Sequence, residues 1–143
     1  MILLLALLVL TPSPSSAPSC TAHPETFCFS PGRCDEKVIE LIDAASDTLD
    51  VAIYSLNRAS IADAIVRAHE RGVTVRVLLD RTQSGNAKEQ VQLRKIARAG
   101  IPTARSHHAG IMHVKLAVVD GRWVELGSYN WTDPATTKND EVL

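Results

Sequence analysis

Four residues near the C-terminus, His113, Lys115, Ser128 and Asn130, combine side-chain types that can together work on a phosphate ester. An imidazole serves as nucleophile or proton donor near neutral pH. An ammonium offsets anionic charge, while a hydroxyl and a carboxamide donate hydrogen bonds to non-bridging oxygens. Two β-prone runs, His113–Val119 and Arg122–Gly127, hold the first two of these residues and lead into the other two, and are separated by Asp120-Gly121. Asp-Gly tolerates the positive φ of a tight type I′ hairpin turn. A two-residue loop pairs Val119 with Arg122 and sets His113 opposite Ser128. Directly opposed residues share a sheet face, as do residues two apart on one strand. His113, Lys115, Ser128 and, if the strand continues, Asn130 are then expected on one side. Spacing alone also fits a strand whose His and Lys simply face solvent.

The elements upstream must supply a platform for that hairpin. Thr26–Ser30 reads as a short β-prone run ending at Pro31-Gly32. Asp35–Thr48 spaces Val38, Ile39, Leu41 and Ile42 as a helix face. Leu49–Leu56 reads as a strand, and Ser60 with Asp63 resembles a capping box opening a helix to Arg71, stopped by Gly72. Val73–Leu79 is a clear strand, Asn86–Ala99 a helix stopped at Gly100, and Ile101–Arg105 a short strand. This alternation predicts one α/β domain over residues 26–143, with a mixed sheet flanked by helices.

The pattern His113-x-Lys115-x4-Asp120, followed by Gly127-Ser128-x-Asn130, resembles the HKD motif of the phospholipase D superfamily. Phe29-Ser30-Pro31-Gly32 with Cys34, Ala52-Ile53-Tyr54-Ser55, Arg71-Gly72-Val73 through Asp80, and Asn130-Trp131-Thr132 follow in the order of the small single-motif members, the secreted or plasmid-encoded endonucleases. The resemblance implies a phospholipase D-like fold with one HKD half-site per chain. It implies His113 as the nucleophile forming a phosphohistidine, with Lys115, Asn130 and Ser128 holding phosphoryl oxygens. It also implies Glu141 as the acid that hydrogen-bonds the imidazole and fixes its tautomer. Asp120 and Gly127 complete the motif, and the hairpin reading makes Asp120 a structural turn residue. The mechanism needs a second imidazole, and His23, His69, His107 and His108 all lack the His-x-Lys context. A homodimer with the active site at its interface is therefore expected. No metal or other cofactor is implied, because zinc-spaced Cys/His pairs and dense carboxylate clusters are missing from the sequence. Single-motif relatives continue past the last strand with a helix that covers the sheet. That C-terminal helix is apparently missing before Leu143, so the domain reads as truncated.

Bulk properties bound the setting. Ile2–Leu10 is an unbroken apolar run followed by a Pro/Ser-rich stretch. As a helix it covers about 14 Å, against about 30 Å for a bilayer core. Residues 1–19 read as a signal peptide, though without a basic start, and 20–25 as a linker. Secretion or periplasmic export is expected, and Ala17-Pro18-Ser19 makes a poor lipobox for anchoring at Cys20. In an oxidising compartment Cys28 and Cys34 can bridge; two thiols is the other reading. The net charge of −1 excludes nothing, but Arg81–Arg105 holds six bases and one acid, a candidate polyanion footprint or a solvated helix face. The leading function is a secreted non-specific endonuclease hydrolysing nucleic-acid phosphodiesters. The alternatives are a phospholipase D acting on phosphatidyl head groups and a catalytically inactive binding protein on the same scaffold.

Overall fold

The computed structural model describes residues 26–143. The expected signal peptide, the linker and Cys20 lie outside the described residues. Helix α1 (Cys34–Asp43) buries Cys34, Val38 and Ile42 at four-residue spacing. Strand β2 (Thr48–Ile53) follows β1 (Phe29–Ser30) and α1, then α2 (Ala59–Glu70), β3 (Thr74–Leu79), α3 (Ala87–Arg98) and β4 (Thr103–Arg105). A single 3₁₀ turn, Gln83–Gly85, precedes α3, and the Asn86 side chain caps that helix by accepting from the Lys88 N–H.

The main sheet has five strands in the order β4-β3-β2-β5-β6, with β5 at Lys115–Val119 and β6 at Trp123–Leu126. β2, β3 and β4 run parallel, whereas β5 is antiparallel to both β2 and β6. This is the mixed α/β sheet expected. On one face Leu49, Val51, Ile53, Val75, Val77, Leu79, Ala117 and Val119 join the buried residues of α1, α2 and α3 in a single core. The other face carries a cross-strand row of Ala104, Leu78, Ala52, Leu116 and Leu126. Leu78, Leu126 and the neighbouring Val124 are exposed there. Helix α4 (Asp133–Thr137) and β7 (Glu141–Val142) close the described chain, with β7 antiparallel to β1.

Two local expectations are corrected. Arg58, not Ser60, is the N-cap of α2, and no side chain caps that end. The Ser60 hydroxyl is buried without a partner. The hairpin forms around Asp120-Gly121, at φ 54° and 62°, but Val119 pairs with Trp123 rather than Arg122. Arg122 joins the turn, its N–H donating to the Val119 carbonyl at 3.0 Å. A one-residue slip exchanges the faces of a strand. The slip takes Trp123 and Glu125 to the inner face and turns Val124 and Leu126 outward.

Candidate active site

The register decides how the site is assembled. Lys115, Ala117 and Val119 point to the inner face, and Glu125 shares that face across from Ala117. Ser128 and Asn130 therefore do not meet His113 through strand pairing, as the two-residue loop had required. They arrive on the loop that follows β6, while His113 lies just before β5. The segment after β2 joins the two halves. The Tyr54 N–H donates to the Val114 carbonyl at 2.7 Å on one side. On the other, the Trp131 N–H donates to Ser55, and the Asn57 and Arg58 N–H groups donate to the Trp131 carbonyl.

Tyr54 is the residue that sequence reasoning did not single out for a role. Its ring meets the His113 imidazole edge-on, with centroids 4.6 Å apart. The Lys115 ammonium stands 5.0 Å from the centre of the same ring, within cation–π range. Gln83 Nε2 donates to the Tyr54 hydroxyl at 2.9 Å. Ser55 Oγ donates to the carboxylate of Glu89, which is buried on α3. Burial, partly offset by this bond, pushes the Glu89 carboxyl up from its ordinary value. The Ala-Ile-Tyr-Ser run was the available signal, but no periodicity in it announces an aromatic contact.

Lys115 is 2% exposed, and its ammonium donates to the His113 carbonyl at 3.1 Å. It forms no ion pair with a carboxylate, and burial lowers its pKa from the ordinary lysine value, against a raising influence from Glu141. A buried, unpaired cation is costly unless an anion completes it. His113 itself is exposed.

Glu141 differs from expectation. β7 lies against Gly127–Tyr129, where the Ser128 and Tyr129 N–H groups donate to the Val142 carbonyl. Glu141 consequently accepts from Ser128 Oγ at 2.6 Å and from Asn139 Nδ2 at 3.2 Å, with no hydrogen bond to the imidazole. Ser128 Oγ also accepts from the Val142 N–H, so its proton is committed to Glu141. Gly127 is required by this approach, because a Cβ there would collide with the Val142 carbonyl. Asn130 sits between the fully buried Tyr129 and Trp131, and its Oδ1 is buried without a partner.

Two aspartates set the loops. Asp120 accepts from the Ser46, Asp47 and Thr48 N–H groups and from Ser46 Oγ, and these bonds hold its carboxyl well below the usual range. It thus ties the hairpin turn to the start of β2. Asp80 accepts from the Thr82, Gln83 and Met112 N–H groups, fixing the loop that leads into His113. Burial pushes the Asp80 carboxyl up, but those three bonds outweigh it and hold it below the ordinary value. Cys28 and Cys34 are joined in a disulfide. Among the described residues no group of three or more His, Cys, Asp or Glu side chains is placed to hold a metal ion.

Residues 38–143 match the family described as cardiolipin synthase, PLD-like domain. The chain is 32% identical over 105 residues to a mitochondrial cardiolipin hydrolase of Chlamydomonas reinhardtii, covering 73% of this chain and 46% of that protein. It is 34% identical over 116 residues to a phospholipase D of Rickettsia felis, covering 80% and 56%. The chain thus spans about half the length of these curated relatives. The crystal structure of Nuc, a phospholipase D family member from Salmonella typhimurium, superposes with a TM-score of 0.79 at 33% identity, over 82% of this chain and 78% of that one. NucT from Helicobacter pylori gives 0.70 at 26% identity, over 82% and 83%. With this family match over residues 38–143 on a mixed sheet of this topology, the chain belongs to the phospholipase D-like family.

Proposed function

We propose that the chain is a metal-independent phosphodiesterase, and that its substrate is a nucleic acid cut with little sequence preference. The observation that carries the reading is the Lys115 ammonium, buried, without an ion pair and bonded to the carbonyl of the nearby His113. An anionic group beside the exposed imidazole would satisfy it. A ring nitrogen of His113 bonds to phosphorus as the P–O bond to the leaving group breaks, giving a phosphohistidine ester. Water then attacks phosphorus, the P–N bond breaks and the imidazole is regenerated. Lys115 and the Asn130 amide neutralise and grip the phosphoryl oxygens.

The leaving oxygen needs a proton. Of the other described histidines, His69 lies on α2, and His107 and His108 occupy the exposed loop after β4. The His113 of a second copy supplies that proton in a homodimer and then takes one from the attacking water. Export to an oxidising compartment belongs to the same reading, supported by the Cys28–Cys34 disulfide. The solved relatives named Nuc and NucT share most of their length with this chain, which favours nuclease action.

A second reading, hydrolysis of phospholipid head groups, has its own support. Ile111 and Val114, 59% and 38% exposed, flank His113 with apolar surface, and the curated relatives carry lipid-hydrolase names. Purified protein offered single-stranded DNA, duplex DNA, RNA and phosphatidylcholine or cardiolipin vesicles, each with and without EDTA, separates the two. Strand cutting that survives EDTA and vanishes in His113→Ala is expected. Head-group release without strand cutting would establish the second reading instead.

A further inference from the structure

Among the described residues the cations without an ion pair concentrate in one stretch, and Lys115, Arg122 and Lys138 are the others, outside it. Among the described residues, Arg33, Lys37, Arg58, Arg67, Arg71, Arg76 and Lys95 each make an ion pair with a carboxylate. Arg81, Lys88, Arg94, Arg98 and Arg105 make none, and all five are exposed. They fall within one stretch whose single acid, Glu89, is 1% exposed and bonded to Ser55. No surface carboxylate within that stretch answers them.

Their placement is continuous. Arg94 and Arg98, four apart on α3, share one helix face. Gln90, Arg94 and Ala97 of α3 line one wall of a groove of about 160 Å³, and Thr103 and Arg105 of the edge strand β4 line the other. Ser106 then ties the end of β4 to Arg81, accepting from the Arg81 N–H at 3.2 Å while its own N–H donates to Leu79. His107 and His108 follow, exposed, and the loop ends at Met112, pinned to Asp80 beside His113.

We infer that this groove and its free arginines seat the phosphate backbone of a nucleic-acid strand and lead it toward His113. The inference rests on the nuclease reading for the chemistry of its ligand, and it adds where that ligand lies outside the reacting centre. Unpaired guanidiniums flanking a groove suit phosphate, since their planar forks bind it in two-pronged fashion. Binding of this kind is read through salt, because each phosphate neutralised releases counterions, with a slope of about 0.7 per contact on single strands.

The test is binding rather than turnover, so that it can fail separately from the proposed activity. A fluorescein-labelled 30-nucleotide DNA is titrated with wild-type protein, with an Arg94→Gln/Arg105→Gln variant and with an Arg122→Gln/Lys138→Gln variant, across a salt series. The last pair is exposed, outside the groove and equal in charge removed. The groove variant should weaken binding on the order of tenfold and flatten the log–log salt slope by about 1.4, with the control close to wild type. Equal losses in both variants, or no loss in the groove variant, would overturn the assignment. So would wild-type protein that ignores the DNA but binds phosphatidylglycerol vesicles through Arg94 and Arg105. Groove-dependent DNA binding by a protein that cuts nothing would sustain the seat and count against the proposed catalysis alone.

Discussion

Glu125→Gln probes the hairpin register through a charge that the register buries. Glu125 is 5% exposed on the inner face, and burial pushes its carboxyl up from 4.5 to about 7, against lowering influences from the Trp131 indole and the Ala117 backbone. Neither carboxylate oxygen has a hydrogen-bond partner of ordinary geometry. The folded state therefore holds this proton more tightly than the unfolded chain. Stability from that proton is complete below about pH 4.5 and is lost as pH rises through about 7. At about 1.4 kcal/mol per unit, the wild type loses about 3 kcal/mol across that window. Glutamine cannot titrate, so the difference between variant and wild type cancels every other ionisation. Urea unfolding followed by circular dichroism at pH 4.5, 6, 7 and 8 measures it. The variant should gain about 3 kcal/mol on the wild type between the ends of the series. Parallel stability curves would refute the burial of Glu125, and with it the pairing of Val119 with Trp123.

Three further outcomes are expected. Tyr54→Leu, which removes the ring that contacts both His113 and Lys115, should lower kcat more than tenfold, while Tyr54→Phe should lose only the Gln83 bond and stay within a few-fold; steady-state kinetics on a small diester reads both. Activity needs Lys115 protonated, and burial lowers its pKa, so the alkaline limb of the rate profile should set in below the ordinary lysine range. That limb should disappear in Lys115→Gln, whose residual rate should be down by about 10²–10³. Asp120→Ala should lower the melting temperature by releasing residues 46–48 while leaving KM unchanged.

The sheet was legible because its strands are apolar runs closed by turn residues, and the helices because their apolar spacing repeats. The register was not. Asp-Gly announced a tight turn, but the extra turn residue, Arg122, is selected by tertiary bonds from Asp120 to residues 46–48. Those contacts cross more than 70 positions of sequence, and no local rule reports them. Helix α4 was missed although Thr132 caps it and Pro134 opens it, because a five-residue helix offers too little periodicity. The chemistry-bearing types at 113, 115, 128 and 130 were readable as a motif, whereas the means of assembling them was misjudged. The backbone next to each pair, at Val114 and at Trp131, is tied to the Tyr54–Arg58 segment rather than joined by strand pairing. Glu141 was tied to the imidazole by resemblance, and the close passage of β7 over Gly127 gives it to Ser128 instead.

During turnover the imidazole of His113 is expected to bond to phosphorus. Protein mixed with excess bis(p-nitrophenyl) phosphate and quenched in alkali, where phosphohistidine survives, can be digested and analysed by mass spectrometry. The expected result is a nitrophenylphosphoryl adduct on the peptide containing His113, formed as p-nitrophenolate is released and absent from His113→Ala. Undiminished turnover by His113→Ala, or an adduct on any other residue, would contradict it.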